Sequence, residues 1–249
     1  MTQSVIQTQV ETSNCFKRGH ENRKKQLSFE RSVEIMNFIF FMNITVKNAI
    51  KRVFPNAPID VIMDCIKRFD IKNPMDFVVQ IAHECANFRV YVENLNYSAS
   101  GLAKVWPNHF AEEDKSPNEL AYMLERKPRE IANTVYNGRL GNRLMTDDGW
   151  NFRGRGAIQI TGRNNYRTVS EGLYEVGLGE TKDYYLNHPE ELGKVPMAIY
   201  SAGVFWKQKN LSNVTDFKTL TKRINGGLVG YEDRLKKKEA LENALNLGS

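Results

Sequence analysis

Apolar residues recur at helical spacing along most of the chain after residue 42. The first set ends before Pro55 and predicts a helix over residues 43–54. A second set follows Pro58, and a third begins at Asn73 and extends to Phe88. Each predicted helix has a proline in its first turn, where proline is favoured. Further helices are predicted over residues 99–105, 117–126, 129–136, 188–207 and 229–246. The pattern therefore predicts a mostly α fold built around a cleft.

Only one stretch favours β structure. Residues 153–161 read Arg-Gly-Arg-Gly-Ala-Ile-Gln-Ile-Thr, a glycine-rich turn followed by alternating apolar and polar positions. We therefore expect one or two short β-hairpins beside the cleft of a bilobal, helical (α+β) fold.

Residues 1–41 have a different composition. Gln, Thr, Ser and Asn dominate the start, and a basic stretch with little apolar periodicity follows, made up of Lys17, Arg18, Arg23, Lys24 and Lys25. This composition is typical of a flexible, solvated extension, so we expect a basic extension over residues 1–41 and a folded domain over residues 42–249. The basic stretch lacks the interleaved aromatic residues of a nucleic-acid module, which favours a solvated tail or an envelope-contacting arm.

The charge and the cysteines narrow the class of protein. Lys and Arg number 35 against 29 for Asp and Glu, a net charge of +6 that mildly favours polyanionic surroundings. Cys15, Cys65 and Cys85 have no metal-like spacing and predict free thiols in a reducing compartment. The chain starts without a signal-peptide pattern, and its longest apolar run, residues 35–44, is about half the length of a membrane helix. We expect no removable signal and no stable membrane insertion.

His83 and Glu84 are the first candidates for chemistry. A zinc metalloprotease motif would need a second histidine at position 87, where the chain has Asn87, and no glycine-rich phosphate loop opens a helix. We therefore expect neither a metal nor another cofactor. Glu84 lies beside the apolar stripe of the third helix, in the partly desolvated setting that suits a general acid. An exposed glutamate at a helix end is the alternative.

Glu93 is the second candidate carboxylate, nine positions after Glu84. One continuous helix through both would place them on opposite faces, so that they could not share a substrate. A turn after Phe88 would instead let the two carboxylates face each other across a cleft. With room for a water between them, they would suit an inverting glycosidase.

Several blocks of sequence, in the right order, resemble glycoside hydrolase family 19, and more closely its phage endolysins. They are His83-Glu84 followed by Phe88, then Glu93-Asn94-Leu95-Asn96-Tyr97-Ser98-Ala99, Asn137 to Asn142, Gly149 to Tyr166, and Ile224-Asn225-Gly226-Gly227. The resemblance extends from about Met42 to the C-terminus. It implies a bilobal, lysozyme-like fold that hydrolyses a β-1,4 bond between amino sugars with inversion, using no cofactor.

The resemblance also implies residue roles. Glu84 matches the general acid and Glu93 the general base, and Arg234 matches an arginine near the acid. Polar side chains of the sugar groove are implied at Gln159, Thr161, Asn165 and Asn225. Tyr97, Trp150 and Tyr166 are further candidates, as platforms for sugar rings, although core packing is favoured for each of them. The chain departs from the family at Cys85-Ala86-Asn87, where a small residue and two glycines are usual, so the shape of this bend stays open.

The implied function is that of an endolysin, which cuts bacterial peptidoglycan between N-acetylmuramic acid and N-acetylglucosamine and lyses the host cell. Such an enzyme would act as a monomer, accumulate in the host cytoplasm and reach the wall in the periplasm through a separate holin-type protein. A chitinase is the main alternative, because the same two-carboxylate chemistry serves both polymers. A lytic transglycosylase would need only one acid, and a non-catalytic wall-binding relative would need neither.

Overall fold

The computed structural model describes residues 44–246, so the predicted extension over residues 1–41 lies outside the described part. The fold is mostly helical, as the sequence predicts. Its helices are α1 (44–53), α2 (Ile59–Arg68), α3 (Pro74–Glu84), α4 (Ala99–Val105), α5 (Pro107–Phe110), α6 (Glu119–Leu124), α7 (Pro128–Tyr136), α8 (Asp148–Asn151), α9 (Arg163–Glu175), α10 (Tyr184–Asn187), α11 (Met197–Gln208), α12 (Phe217–Asn225) and α13 (Tyr231–Asn246). Between residues 44 and 246, no helix has the length and apolar character to span a bilayer.

The predicted third helix is too long. Helix α3 ends at Glu84, and the three residues Ala86, Asn87 and Phe88 have φ angles of 50°, 56° and 65°. This left-handed region is costly for residues with a Cβ and does not continue a helix. The chain therefore reverses directly after Glu84, earlier than the turn expected after Phe88.

One other helix prediction needs correction, and several helices were not predicted. The helix predicted over residues 188–207 is split into a 3₁₀ turn, Pro189–Gly193, and helix α11, which begins after Pro196. Helices α9 and α12 were not predicted at all. Both are polar apart from one narrow apolar face, which in α9 consists of Tyr166, Val169 and Leu173.

Two separate hydrophobic cores give the fold the predicted bilobal form. The large lobe contains α1–α3 and α9–α13, and its core includes Phe77 and Trp206, whose rings pack edge to face 5.1 Å apart. The small lobe contains α4–α8 and has its own core, formed by Leu95, Ala99, Leu102, Phe110, Ala121, Ile131, Ala132 and Val135. Burying two apolar faces separately leaves a junction of loops between the lobes.

β structure in the described part of the chain is confined to isolated bridges that join Val92 with Arg155, Ala111 with Pro117 and Arg155 with Ile160. The predicted hairpins are therefore reduced to tight turns. Arg155 and Ile160 exchange two backbone hydrogen bonds of 3.1 and 2.7 Å. Because Arg155 also pairs with Val92, this glycine-rich turn lies against the segment that carries Glu93.

Candidate active site

Glu84 lies at the C-terminal end of α3 and is held by Arg234 of α13. The guanidinium group of Arg234 donates hydrogen bonds to Oε1 of Glu84 and to Oε1 of Gln80. Arg234 is only 1% exposed, whereas the Glu84 side chain is 21% exposed. Gln80 precedes Glu84 by one helical turn, so both side chains are on one face of α3. The arginine thus fixes Oε1 of Glu84, and Oε2 has no partner within residues 44–246.

A chain of buried hydrogen bonds holds Arg234 in turn. The amide of Gln80 donates to Oγ1 of Thr221 at 2.9 Å, and the Thr221 hydroxyl donates to the carbonyl of Phe217 at 3.0 Å. Gln80 and Thr221 are fully buried. Because buried polar groups are costly when unpaired, this network determines how α3, α12 and α13 fit together around Glu84.

His83, near the end of α3, contacts Asp233 near the start of α13. Its Nδ1 lies 2.6 Å from Oδ2 of Asp233, which Lys237 also contacts. A Cβ added at Gly230 would be 2.4 Å from the His83 ring, so only glycine allows this approach. Although burial opposes ionisation of Asp233, Lys237 and His83 lower its pKa. His83 therefore has a structural partner, and its neighbour Glu84 is brought to Arg234.

Glu93 is held by neutral donors from two directions. The hydroxyl of Tyr136, at the end of α7 in the small lobe, donates to Oε1 of Glu93 at 2.6 Å. The backbone N–H of Gly154 donates to Oε2 at 3.0 Å, and the N–H of Glu93 donates to the carbonyl of Gly154 at 2.8 Å. Burial, followed by the contact with Glu93, raises the pKa of Tyr136, so the phenol stays protonated and remains a donor.

Gly154 is needed for this arrangement. A Cβ at this position would be 2.6 Å from Oε1 of Gln159 and 3.2 Å from Cβ of Glu93. Any side chain would therefore push Gln159 and Glu93 away from the turn. The close approach also shows that Gln159, a predicted groove residue, lies next to Glu93.

Three predicted groove residues lie together. The Thr161 hydroxyl donates to the carbonyl of Gln159 at 2.9 Å, and Nδ2 of Asn165 donates to the carbonyl of Thr161 at 2.7 Å. All three line a cavity of about 360 Å³. Asn225 is elsewhere on the large lobe, exposed at the end of α12, where Nδ2 donates to the carbonyl of Val229 at 3.1 Å.

The aromatic residues divide between packing and exposure. The ring of Tyr97 packs edge to face against Trp106 at 5.2 Å, beside the small-lobe core. Tyr166 is fully buried, and its hydroxyl donates to the carbonyl of Arg153 at 2.7 Å, so the interpretation of Tyr166 as a sugar platform is wrong. Trp150 is partly exposed, with the Arg153 guanidinium 3.6 Å from its ring centroid.

A buried aspartate joins the small lobe to α9. Asp148, which begins α8, accepts hydrogen bonds from the side chains of Arg143 and Arg163 and from the backbone of Arg143. Burial alone would raise the pKa of Asp148, but these contacts overcome it and lower the pKa. Asp148 thereby ties the loop before α8 to the start of α9.

Two cysteines and the possible metal ligands are further candidates for chemistry within residues 44–246. Cys65 and Cys85 are buried free thiols, and burial raises the pKa of Cys85 to about 12, which makes it a poor nucleophile. Among the residues from 44 to 246, no group of three His, Cys, Asp or Glu side chains could hold a metal ion.

Comparison with known proteins decides the family. A glycosyl hydrolase family 19 domain-containing protein of Haemophilus influenzae is 36% identical over 199 residues, which cover 76% of this chain and 92% of that protein. The chain belongs to glycosyl hydrolase family 19. No family model matches the chain. The solved structures of chitinase C from Streptomyces griseus and of a chitinase C variant each cover 80% of this chain and 75% of their own, with 15% and 12% identity and TM-scores of 0.45 and 0.44.

Sequence reasoning missed several residues around the family 19 glutamates. Gln80 could have been found, because it lies one helical turn before Glu84 on the same face. Tyr136 gave no signal, since it is distant in sequence from Glu93 and only the docking of α7 brings them together. The backbone N–H of Gly154 carries no side-chain signature at all.

Proposed function

We propose that this family 19 glycoside hydrolase is an endolysin, which hydrolyses the β-1,4 bond between N-acetylmuramic acid and N-acetylglucosamine with inversion. The observation that carries the proposal is that hydrogen bonds from separate parts of the fold hold each of the two glutamates. Glu84 extends from the large lobe beside Arg234, and Glu93 is anchored by Tyr136 of the small lobe.

Glu84 is the proposed general acid. Arg234 occupies Oε1, so Oε2 is the oxygen that would carry the proton to the leaving group. The partial exposure of Glu84 lets a sugar reach it, while the buried network behind Arg234 holds it still. Positioning of this kind supplies a large part of the rate enhancement of an enzyme.

Glu93 is the proposed general base. Each carboxylate oxygen can accept two hydrogen bonds, and Tyr136 and Gly154 supply one to each oxygen. Both oxygens therefore retain a lone pair for a water molecule, which Glu93 would activate for attack on the anomeric carbon.

Charge and cysteine chemistry support action on a bacterial wall from the host cytoplasm. The net charge of +6 favours encounter with anionic envelope polymers. Unpaired buried thiols suit a protein that accumulates in a reducing compartment. We propose that the enzyme acts as a monomer and reaches the wall through a separate holin-type protein.

The experiment measures release of reducing ends from purified peptidoglycan and from colloidal chitin by the wild-type protein and by Glu84→Gln. We expect hydrolysis of peptidoglycan, abolition by the substitution, and hydrated reducing ends in product mass spectra. Faster release from chitin would identify a chitinase, and anhydro-muramic products would identify a lytic transglycosylase. Equal lysis of outer-membrane-stripped cells by both proteins would overturn the assignment of Glu84.

A further inference from the structure

A cavity of about 360 Å³ is lined by three of the predicted groove residues, Gln159, Thr161 and Asn165. Gln159 and Thr161 line its near side, and Gln208 and Lys209, at the end of α11, line its far side. Gln159 also lies against Gly154, next to Glu93. Gln159 therefore relates the cavity to Glu93, and the far side of the cavity belongs to a helix that carries none of the predicted site residues.

The cavity has an apolar floor and a rim of amide side chains that can accept hydrogen bonds. Ile160, Val169 and Phe205 supply apolar surface. On the rim, Asn165 donates one amide N–H to the carbonyl of Thr161, and Gln208 donates one to the carbonyl of Thr168 at 3.1 Å. Each amide keeps a second N–H. Their side-chain oxygens are left to accept hydrogen bonds, which suits a ligand that carries N–H groups.

Lys209 is the one charged residue that lines the cavity. It forms no ion pair with any residue from 44 to 246. A lysine beside an apolar floor and amide acceptors is a suitable partner for a carboxylate on a ligand that also has alkyl groups and amides.

We propose that this cavity binds the peptide substituent of peptidoglycan. Lys209 contacts a peptide carboxylate, the oxygens of Asn165 and Gln208 accept peptide N–H groups, and the apolar floor contacts the alanine methyl groups. The inference rests on the proposed function and adds a specificity element to it, because chitin has neither a peptide nor a carboxylate. Lys209 thereby favours peptidoglycan over chitin.

The activity test compares Lys209→Ala with Lys207→Ala, a control that removes an equal charge from the same helical turn outside the cavity. Substrates are intact peptidoglycan and glycan strands from which an amidase has removed the peptides. We expect Lys209→Ala to lower kcat/KM on intact peptidoglycan about fivefold and to leave the rate on peptide-free strands unchanged. The control should keep both rates. Equal effects on both substrates, or no effect on either, would overturn the proposal.

A binding measurement separates failure of this inference from failure of the proposed function. A soluble muramyl peptide is titrated into the wild-type protein and into Lys209→Ala and Lys209→Glu, with affinity read by calorimetry. We expect affinity to fall in the order wild type, Ala, Glu. Binding in this order by a protein that cuts neither glycan would refute the endolysin and retain the cavity. Cleavage with equal affinities in all three proteins would refute the cavity and retain the endolysin.

Discussion

The two glutamates are held in opposite ways. Glu84 is fixed by a buried charge, since Arg234 reaches it from a network of side chains inside the large lobe. Glu93 is fixed by a phenol and a backbone N–H, both neutral, at the junction of the lobes. The proposed acid thus depends on the core of one lobe, and the proposed base depends on how the two lobes meet.

The difference follows from what each environment can satisfy. A buried guanidinium needs partners to offset its desolvation. Inside the large lobe Arg234 has Gln80, which is held by Thr221, while its Nε has no partner within residues 44–246. A loop junction has no such interior, but its backbone groups are free to donate. The comparison predicts that changes near Glu84 affect folding and catalysis together, whereas changes near Glu93 affect mainly catalysis.

Replacing either glutamate gives the largest expected effect. We expect Glu84→Gln and Glu93→Gln each to lower kcat roughly 10³-fold, within the range for loss of a general acid or base. Both variants should fold, because glutamine keeps the shape of the side chain. Kinetics on soluble glycan fragments, with circular dichroism as the folding control, measure the effect. A variant that keeps more than a tenth of the wild-type rate would exclude that residue from the chemistry.

Asp148→Asn tests a buried charge that contacts neither glutamate, so its effect should fall on stability. Asp148 is only 1% exposed and bonds two arginines, so we expect a loss of about 3 kcal/mol in the free energy of unfolding at pH 7. Because its pKa is lowered in the folded protein, the ionised form stabilises the fold above about pH 4, and this contribution declines as the pH falls further. Denaturant unfolding of the wild type and of Asp148→Asn at several pH values should show the difference in their free energies of unfolding shrinking as the pH falls below about 4. A constant difference would contradict this explanation.

Arg234→Ala tests whether the acid depends on the core. The substitution removes a buried charge and leaves Glu84 and Gln80 without their partner. We therefore expect the free energy of unfolding to fall by about 2–3 kcal/mol. This loss is smaller than that expected for a fully buried ion pair, because water reaches Glu84. Activity should also fall. Urea denaturation measures the first effect. If Arg234→Ala unfolds like the wild type, the network does not support α3 and α13.

Tyr136→Phe should give the smallest effect and act mainly on catalysis. Removing one hydrogen bond to the Glu93 carboxylate should lower kcat about tenfold and change stability by about 1 kcal/mol. Steady-state kinetics and thermal unfolding of the same preparation separate these effects. A stability loss as large as that of Arg234→Ala would remove the distinction between the two sites.

The sequence predicted the elements whose signals are local. Helix α4 has the predicted bounds, and α7 begins one residue earlier than predicted, because proline, capping residues and apolar spacing mark them. The end of α3 was wrong, since Phe88 continues the apolar pattern although its backbone is left-handed. Helix α9 was missed because it starts after Gly162 without a capping side chain and is mostly polar.

Residues of the candidate site could be predicted only where they belong to a recognisable sequence motif. The roles of Glu84, Glu93 and Arg234 came from the resemblance to the family, and the structure brings Arg234 to Glu84 as that resemblance implied. Tyr136 and Gly154 could not be found, because their contacts with Glu93 are made by long-range docking and by the backbone. The sugar-binding roles of Gln159, Thr161, Asn165, Asn225 and Tyr97 stay predictions.

The most direct test of the central claim is the anomeric configuration of the first products, recorded by proton NMR during hydrolysis of a soluble β-linked substrate. If Glu84 protonates the leaving oxygen while Glu93 directs water to the opposite face of the sugar, the α-anomer forms first and then equilibrates. Initial formation of the β-anomer would contradict the account.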